Sequence, residues 1–152
     1  MPQHFDAIVI GVGGMGSATV YELARRGEKV LGLEQFDIPH SMGSSHGLTR
    51  IIRLAYNEDP AYVPILRRAY ELWRETQLKF GEQLLYVTGG LDISREGGIF
   101  TNALMACEQH HLPHEILSAQ EIMRRYPAYK IPADLQAVYQ PDAGFVMSER
   151  AI

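Results

Sequence analysis

The run Asp6-Ala-Ile-Val-Ile-Gly-Val-Gly-Gly-Met-Gly16, with Glu34 downstream, constrains this chain more than any other feature. Ala7 to Ile10 is a short apolar run of the kind that forms a buried parallel strand. Gly11, Gly13 and Gly16 then make a G-x-G-x-x-G turn. The first glycine bends the chain, the second lets backbone approach a pyrophosphate, and the third lets a helix pack on the strand. The helix is expected from about Met15 to Arg26, stopped by Gly27. Its N-terminus, with Gly14 and Met15, offers N–H groups and partial positive charge to a phosphate. A second strand over 29–33 delivers Glu34, whose carboxylate can accept hydrogen bonds from the ribose of an adenine dinucleotide, with Gln35 beside it. Strand, turn, helix, strand and acid in register predict a Rossmann-like α/β unit. Glu34 disfavours the 2′-phosphate of NADP and does not separate FAD from NAD.

The following segment is small and polar, His40-Ser-Met-Gly-Ser-Ser-His-Gly47, and leads into Thr49-Arg50-Ile51-Ile52-Arg53-Leu54-Ala55-Tyr56. Preceded by Leu33-Glu-Gln-Phe, it resembles the monomeric sarcosine oxidase family of FAD-dependent amine oxidases. That group includes N-methyltryptophan oxidase and the peroxisomal sarcosine/pipecolate oxidases. Tyr62-Val-Pro, Glu71-Leu-Trp73, Thr88-Gly89, Arg125-Tyr-Pro127 and Gly144 through Ser148-Glu149 extend the resemblance over the whole chain. Bacterial sarcosine oxidases commonly carry His-His-Gly-Asp where this chain reads Ser45-His46-Gly47-Leu48, a form closer to the peroxisomal subgroup.

The resemblance implies FAD as cofactor, with Ser44 and His46 in the backbone segment that approaches it. It implies that Arg53 binds the substrate carboxylate and that Arg50 lies close to the flavin ring. Arginine suits the first task because its planar fork grips a carboxylate through two parallel N–H groups. A cation at the second position favours anionic reduced flavin. The implied reaction oxidises a secondary amino acid (sarcosine, another N-methyl amino acid or pipecolate) to an imine, with dioxygen as acceptor and hydrogen peroxide as product. Two other readings stay open on the residues alone: an NAD-dependent dehydrogenase and a noncatalytic dinucleotide-binding module.

Family chains are more than twice as long as these 152 residues. The expected organisation is a first FAD-binding segment over 1–83, a first substrate-domain segment over 84–143, and a return to the FAD-binding domain over 144–152. The fold is therefore expected to be incomplete, with Ser148 capping an interrupted last helix and Glu149 in its first turn. Periodic Val63, Leu66, Tyr70, Trp73 and Phe80 predict a helix over 61–80, with Pro64 early and Gly81 at its end. Residues 84–93 read as a strand–turn–strand hairpin, and 99–111 as a helix that buries Cys107. A strand over 114–117, a capping box from Ser118 to Glu121, and a strand over 136–140 complete the reading.

The net charge of −4 gives no basic surplus for nucleic acid, and no apolar run is long enough to span a membrane. One cysteine excludes an internal disulfide framework. His110-His111-x-x-His114 lacks the cysteine or carboxylate that would complete a metal site, so no metal is expected. The expected partners are a small amino acid and dioxygen, for a monomer in the cytoplasm, or in the peroxisome of a eukaryote.

Overall fold

The computed structural model describes residues 4–152. They form two compact units, one made of the described part of Met1–Arg50 with Val146–Ile152, the other of Ile51–Phe145.

The first unit is a βαβ element. β1 (Ala7–Ile10) and β2 (Val30–Leu33) pair in parallel, Ala7 opposite Val30 and Ile10 opposite Leu33, joined by α1 (Gly14–Arg25). Asp6 clamps the start of the ladder: its N–H donates to the Lys29 carbonyl and its carboxylate accepts from Lys29 N–H, both at 2.8 Å. Gly11 N–H donates to Leu33 O at 2.7 Å and extends the pairing into the turn. α1 ends one residue before the expected Arg26, and Gly27 leaves it at φ +90°. The apolar run of β1 does not make a strand covered on both faces. Ala7 and Val9 are half-buried, whereas Ile8 is 59 % and Ile10 87 % exposed. α1 buries none of its residues fully.

β3 (Arg50–Ile52) leads into the second unit, and β8 (Gly144–Val146) leads back to a final turn of helix, α5 (Ser148–Ala151). After a 3-10 turn at Pro60–Tyr62, α2 (Val63–Phe80) stops at Gly81, whose φ of +71° closes the helix in left-handed conformation. Val63 and Tyr70 of its apolar stripe are buried, and Phe80 is exposed. β4 (Leu85–Val87) joins a sheet of order β3–β8–β4, whereas β5 (Gly90–Ser94) joins a second sheet. The expected strand, turn and strand over 84–93 are present, but the two strands do not pair as a hairpin. Thr88 and Gly89 donate their N–H groups to Ala143 O, not across a two-strand turn, and this parts the strands.

The second sheet is antiparallel, with β7 (Gln136–Gln140) between β5 and β6 (Glu115–Ser118). Neighbouring residues of β7 point to opposite faces, and each face has a core. Val138 packs with Ala103, Ala106 and Cys107 of α3 (Ile99–Gln109) and with Ala55 and Val63. Ala137 packs with Leu117 and with Ile122 of α4 (Ala119–Arg125). Ser118 opens α4 through the expected capping box with Glu121. Burial pushes the Cys107 thiol up to about 11, with Asp92 and Glu108 adding to it, as befits a small core side chain.

Candidate functional site

The glycine turn, the start of α1 and the end of β2 meet around a cleft of about 460 Å³ in the first unit. Gly11 sits at φ +88°, a region L side chains rarely adopt, and this turns the chain out of β1. A Cβ at Gly16 would overlap the Gly11 carbonyl, so only glycine lets the helix start this close to the turn. Gly13 is the N-cap residue of α1 and offers no side chain to its N–H groups, and the first turn carries no acid. That end of the helix suits an anion. Ser45 reaches it from the following loop, its Oγ accepting from Gly14 N–H at 3.1 Å.

Glu34 lines the same cleft and is already hydrogen-bonded within the chain. Its Oε2 accepts from Val12 N–H in the glycine turn at 2.7 Å. Its Oε1 accepts from Gln35 N–H at 2.8 Å and Phe36 N–H at 3.2 Å, and lies 3.4 Å from His40 Nε2. The Val12 hydrogen bond is the main reason its carboxyl titrates below the usual range. Burial opposes that shift, and the Phe36 and Gln35 N–H groups and His40 reinforce it. Each carboxylate oxygen has two acceptor positions, so Oε2 keeps capacity for a ribose hydroxyl while holding the turn against β2.

The loop 40–47 is tied down from two directions. Arg50 Nε and Nη2 donate to Ser44 O at 3.0 and 2.6 Å, Nη1 donates to Thr49 O at 2.7 Å, and Nη2 also reaches His46 O. From the last helical turn, Glu149 accepts from Gly47 N–H at 2.8 Å and contacts His46 Nδ1 at 3.1 Å. Ser148 does not cap that helix. Met147 holds the N-cap position, and Ser148 Oγ donates to Gly47 O at 2.7 Å.

Of the residues singled out from sequence, the cleft gathers Gly11, Gly13, Gly14, Met15, Gly16, Glu34, Ser44 and His46. Gln35 lines a neighbouring depression with Phe36 and His40. Arg50 supports the loop by its carbonyls, and Arg53 belongs to the second unit. Sequence reasoning missed Ser45, whose hydroxyl and not that of Ser44 meets the glycine turn. Glu149 is expected in the first turn of the last helix and stands there, but its contacts to Gly47 and His46 are not legible from the sequence.

In the second unit Arg53 is half-buried and well engaged. Nη1 lies 3.2 Å from Asp92 Oδ1, Nη2 donates to Asn57 Oδ1 at 2.7 Å, and the guanidinium carbon stands 4.9 Å from the Tyr56 ring centre. Its Nε is buried with no partner. An orphaned donor on a charged group calls for an acceptor, and the described residues do not supply one. Among the described residues no cluster of His, Cys, Asp or Glu could hold a metal ion.

A strand–glycine-turn–helix–strand unit with an acid at the second strand's end defines a dinucleotide-binding protein. The family described as FAD dependent oxidoreductase matches residues 6–152, and the chain belongs to that family. Its cofactor is FAD, which decides between the two dinucleotides that Glu34 alone leaves open. The chain is 44 % identical over 153 residues to a monomeric sarcosine oxidase of Streptomyces avermitilis, covering all of this chain and 40 % of that protein. It is 36 % identical to an N-methyl-L-tryptophan oxidase of Yersinia pestis, covering 99 % of this chain and 41 % of the other. The solved structure of NikD, an unusual amino acid oxidase essential for nikkomycin biosynthesis, superposes with a TM-score of 0.83 at 26 % identity, over 99 % of this chain and 39 % of NikD. L-proline dehydrogenase from P. horikoshii gives 0.76 at 26 % identity, over 99 % and 40 %. The chain thus spans about 40 % of the length of the curated relatives it matches. Among the described residues no helix is long and apolar enough to cross a membrane.

Proposed function

We propose that this chain is the amino-terminal part of an FAD-dependent oxidase of secondary amino acids: sarcosine, other N-methyl amino acids or pipecolate. The observation that carries the reading is the cleft where a glycine turn, an open helix N-terminus and Glu34 converge, in a chain 44 % identical to a sarcosine oxidase. In this reading the turn at Gly11, Gly13 and Gly16 and the first N–H groups of α1 hold the pyrophosphate. Glu34 takes a ribose hydroxyl on its free Oε2 position, and Gln35 stands beside it. Ser44, His46 and Arg50 shape the loop nearest the flavin. Arg53 holds the substrate carboxylate and so presents the amine and its neighbouring C–H for oxidation. When bound, FAD would supply the two-electron acceptor for oxidation of that C–H to an imine, with dioxygen as final acceptor and hydrogen peroxide as product. Residues 84–143 contribute to the substrate domain, and the complete protein works as a monomer in the cytoplasm.

The test is the flavin-loaded protein with sarcosine and pipecolate, followed by peroxide release, together with an Arg53→Lys variant. Lysine lacks the second donor of the fork, so carboxylate affinity should fall about ten- to hundredfold, roughly 1.5–3 kcal/mol, with flavin retained. Unchanged affinity for a carboxylate inhibitor would place the clamp elsewhere.

A further inference from the structure

We propose that Asp92, braced by Gln140, is a positioning residue that fixes the guanidinium of Arg53 for a carboxylate ligand. The proposal rests on the reading of Arg53 as the carboxylate clamp and adds the group that aims it.

The arrangement follows from strand register. β5 and β7 pair with Asp92 opposite Val138 and Gly90 opposite Gln140, so Asp92 and Gln140 are diagonal neighbours on one sheet face. Gln140 is 3 % exposed and fully used. Its Oε1 accepts from Ala55 N–H at 2.8 Å, and its Nε2 donates to Ala55 O at 3.3 Å and to Asp92 Oδ2 at 2.7 Å. One amide thus pins the backbone two residues beyond Arg53 and, at the same time, the carboxylate facing Arg53. The other oxygen of Asp92 meets Arg53 Nη1 at 3.2 Å. Asn57 restrains Nη2 and Tyr56 lies against the guanidinium, while Nε stays unpartnered.

A mostly buried carboxylate is costly unless paired, and the Asp92 side chain is only 11 % exposed, so packing alone does not account for it. The groups bearing on Asp92 are Arg53 and Glu58 from the segment after β3, Gln140 from β7 and the Cys107 thiol of α3. Burial raises the Asp92 carboxyl above the ordinary range. Arg53 and Gln140 pull it down, and Glu58 pushes it further up. Acid therefore removes the anchor charge from Asp92.

Two influences of Asp92 on a bound carboxylate have opposite signs. As a fixed strut it improves binding. As a mere negative charge beside the clamp it weakens binding. The experiment uses flavin-loaded protein and trifluoroacetate, an anion that stays ionised across the acid range, with affinity read from the flavin absorbance. Asp92→Asn should weaken trifluoroacetate binding at least fivefold with flavin content unchanged. Wild-type affinity should also fall on acidification, a limb absent from Asp92→Asn. Tighter or unchanged binding in Asp92→Asn overturns the proposal, and so does a wild-type affinity that stays flat or rises in acid, a readout that needs no variant. Arg53→Lys measured alongside separates the two readings. If it binds as wild type, the clamp itself is misassigned; if it weakens and Asp92→Asn does not, the clamp stands and the positioning role fails.

Discussion

The two units differ in where their burial lies. Among the described residues, the buried apolar side chains belong to residues 51–145, with Val146 the single exception. The first unit holds the glycine turn, Glu34 and the cleft, yet α1 buries nothing fully and β1 leaves Ile8 and Ile10 exposed. The second unit has cores on both faces of its sheet. Burial of apolar area is the main favourable term in folding, so most of the stability of the described residues should come from the second unit. The first is held mostly by hydrogen bonds at β1, β2 and the loop 40–47, and a bound dinucleotide would add to it by mass action.

The largest effect should come from the second unit. Ile122→Ala removes a fully buried side chain packed against Leu117 and Ala137 and should cost about 2–5 kcal/mol. Denaturant unfolding measures it, and a cost near zero would mean the β5–β7–β6 core is not what holds residues 51–145. Next comes Gly16→Ala in the first unit. Alanine is the better helix former by about 1 kcal/mol, so propensity alone predicts a gain. The overlap with the Gly11 carbonyl should win, moving the turn and lowering FAD affinity at least about tenfold. Flavin titration of the variant decides between them.

A smaller effect, with a defined pH signature, is expected for Glu34→Gln. The Glu34 carboxyl titrates below its unfolded value chiefly because of the Val12 N–H. Its stabilising contribution is therefore full above the ordinary carboxylate range and is lost as pH falls through the lowered value. The stability gap between wild type and Glu34→Gln should be constant at neutral pH and close in acid. A gap that widens in acid would mean the carboxylate does not hold the turn. The smallest effect should be that of Ile10→Ala, within about 0.5 kcal/mol, because the side chain is 87 % exposed. A large loss in the same unfolding assay would show that this face of β1 is covered in solution.

The same contrast explains what was legible in the sequence. The βαβ unit could be read because its glycines answer local demands, such as the positive φ of Gly11 and the close approach at Gly16. The Ser118 capping box and the Gly81 stop are local in the same way. What escaped was long-range. Glu149 meets Gly47 across 102 residues, and Gln140 meets Ala55 across 85. β4 and β5 are close in sequence and find partners in different sheets, which no pattern within 84–93 records. From its position Glu34 reads as a ligand-facing acid. Its bonds to the backbone of Val12, Gln35 and Phe36 show a second task that its position alone does not reveal.

Hydrogen exchange with and without FAD, resolved by segment, asks whether the dinucleotide is held by the first unit while the second is stable without it. FAD should slow exchange at the glycine turn and early α1, at β2 through Phe36 and in the loop 40–47, and leave β5, β6 and β7 nearly unchanged. Protection confined to residues 85–140, or none at residues 11–17, would contradict the account.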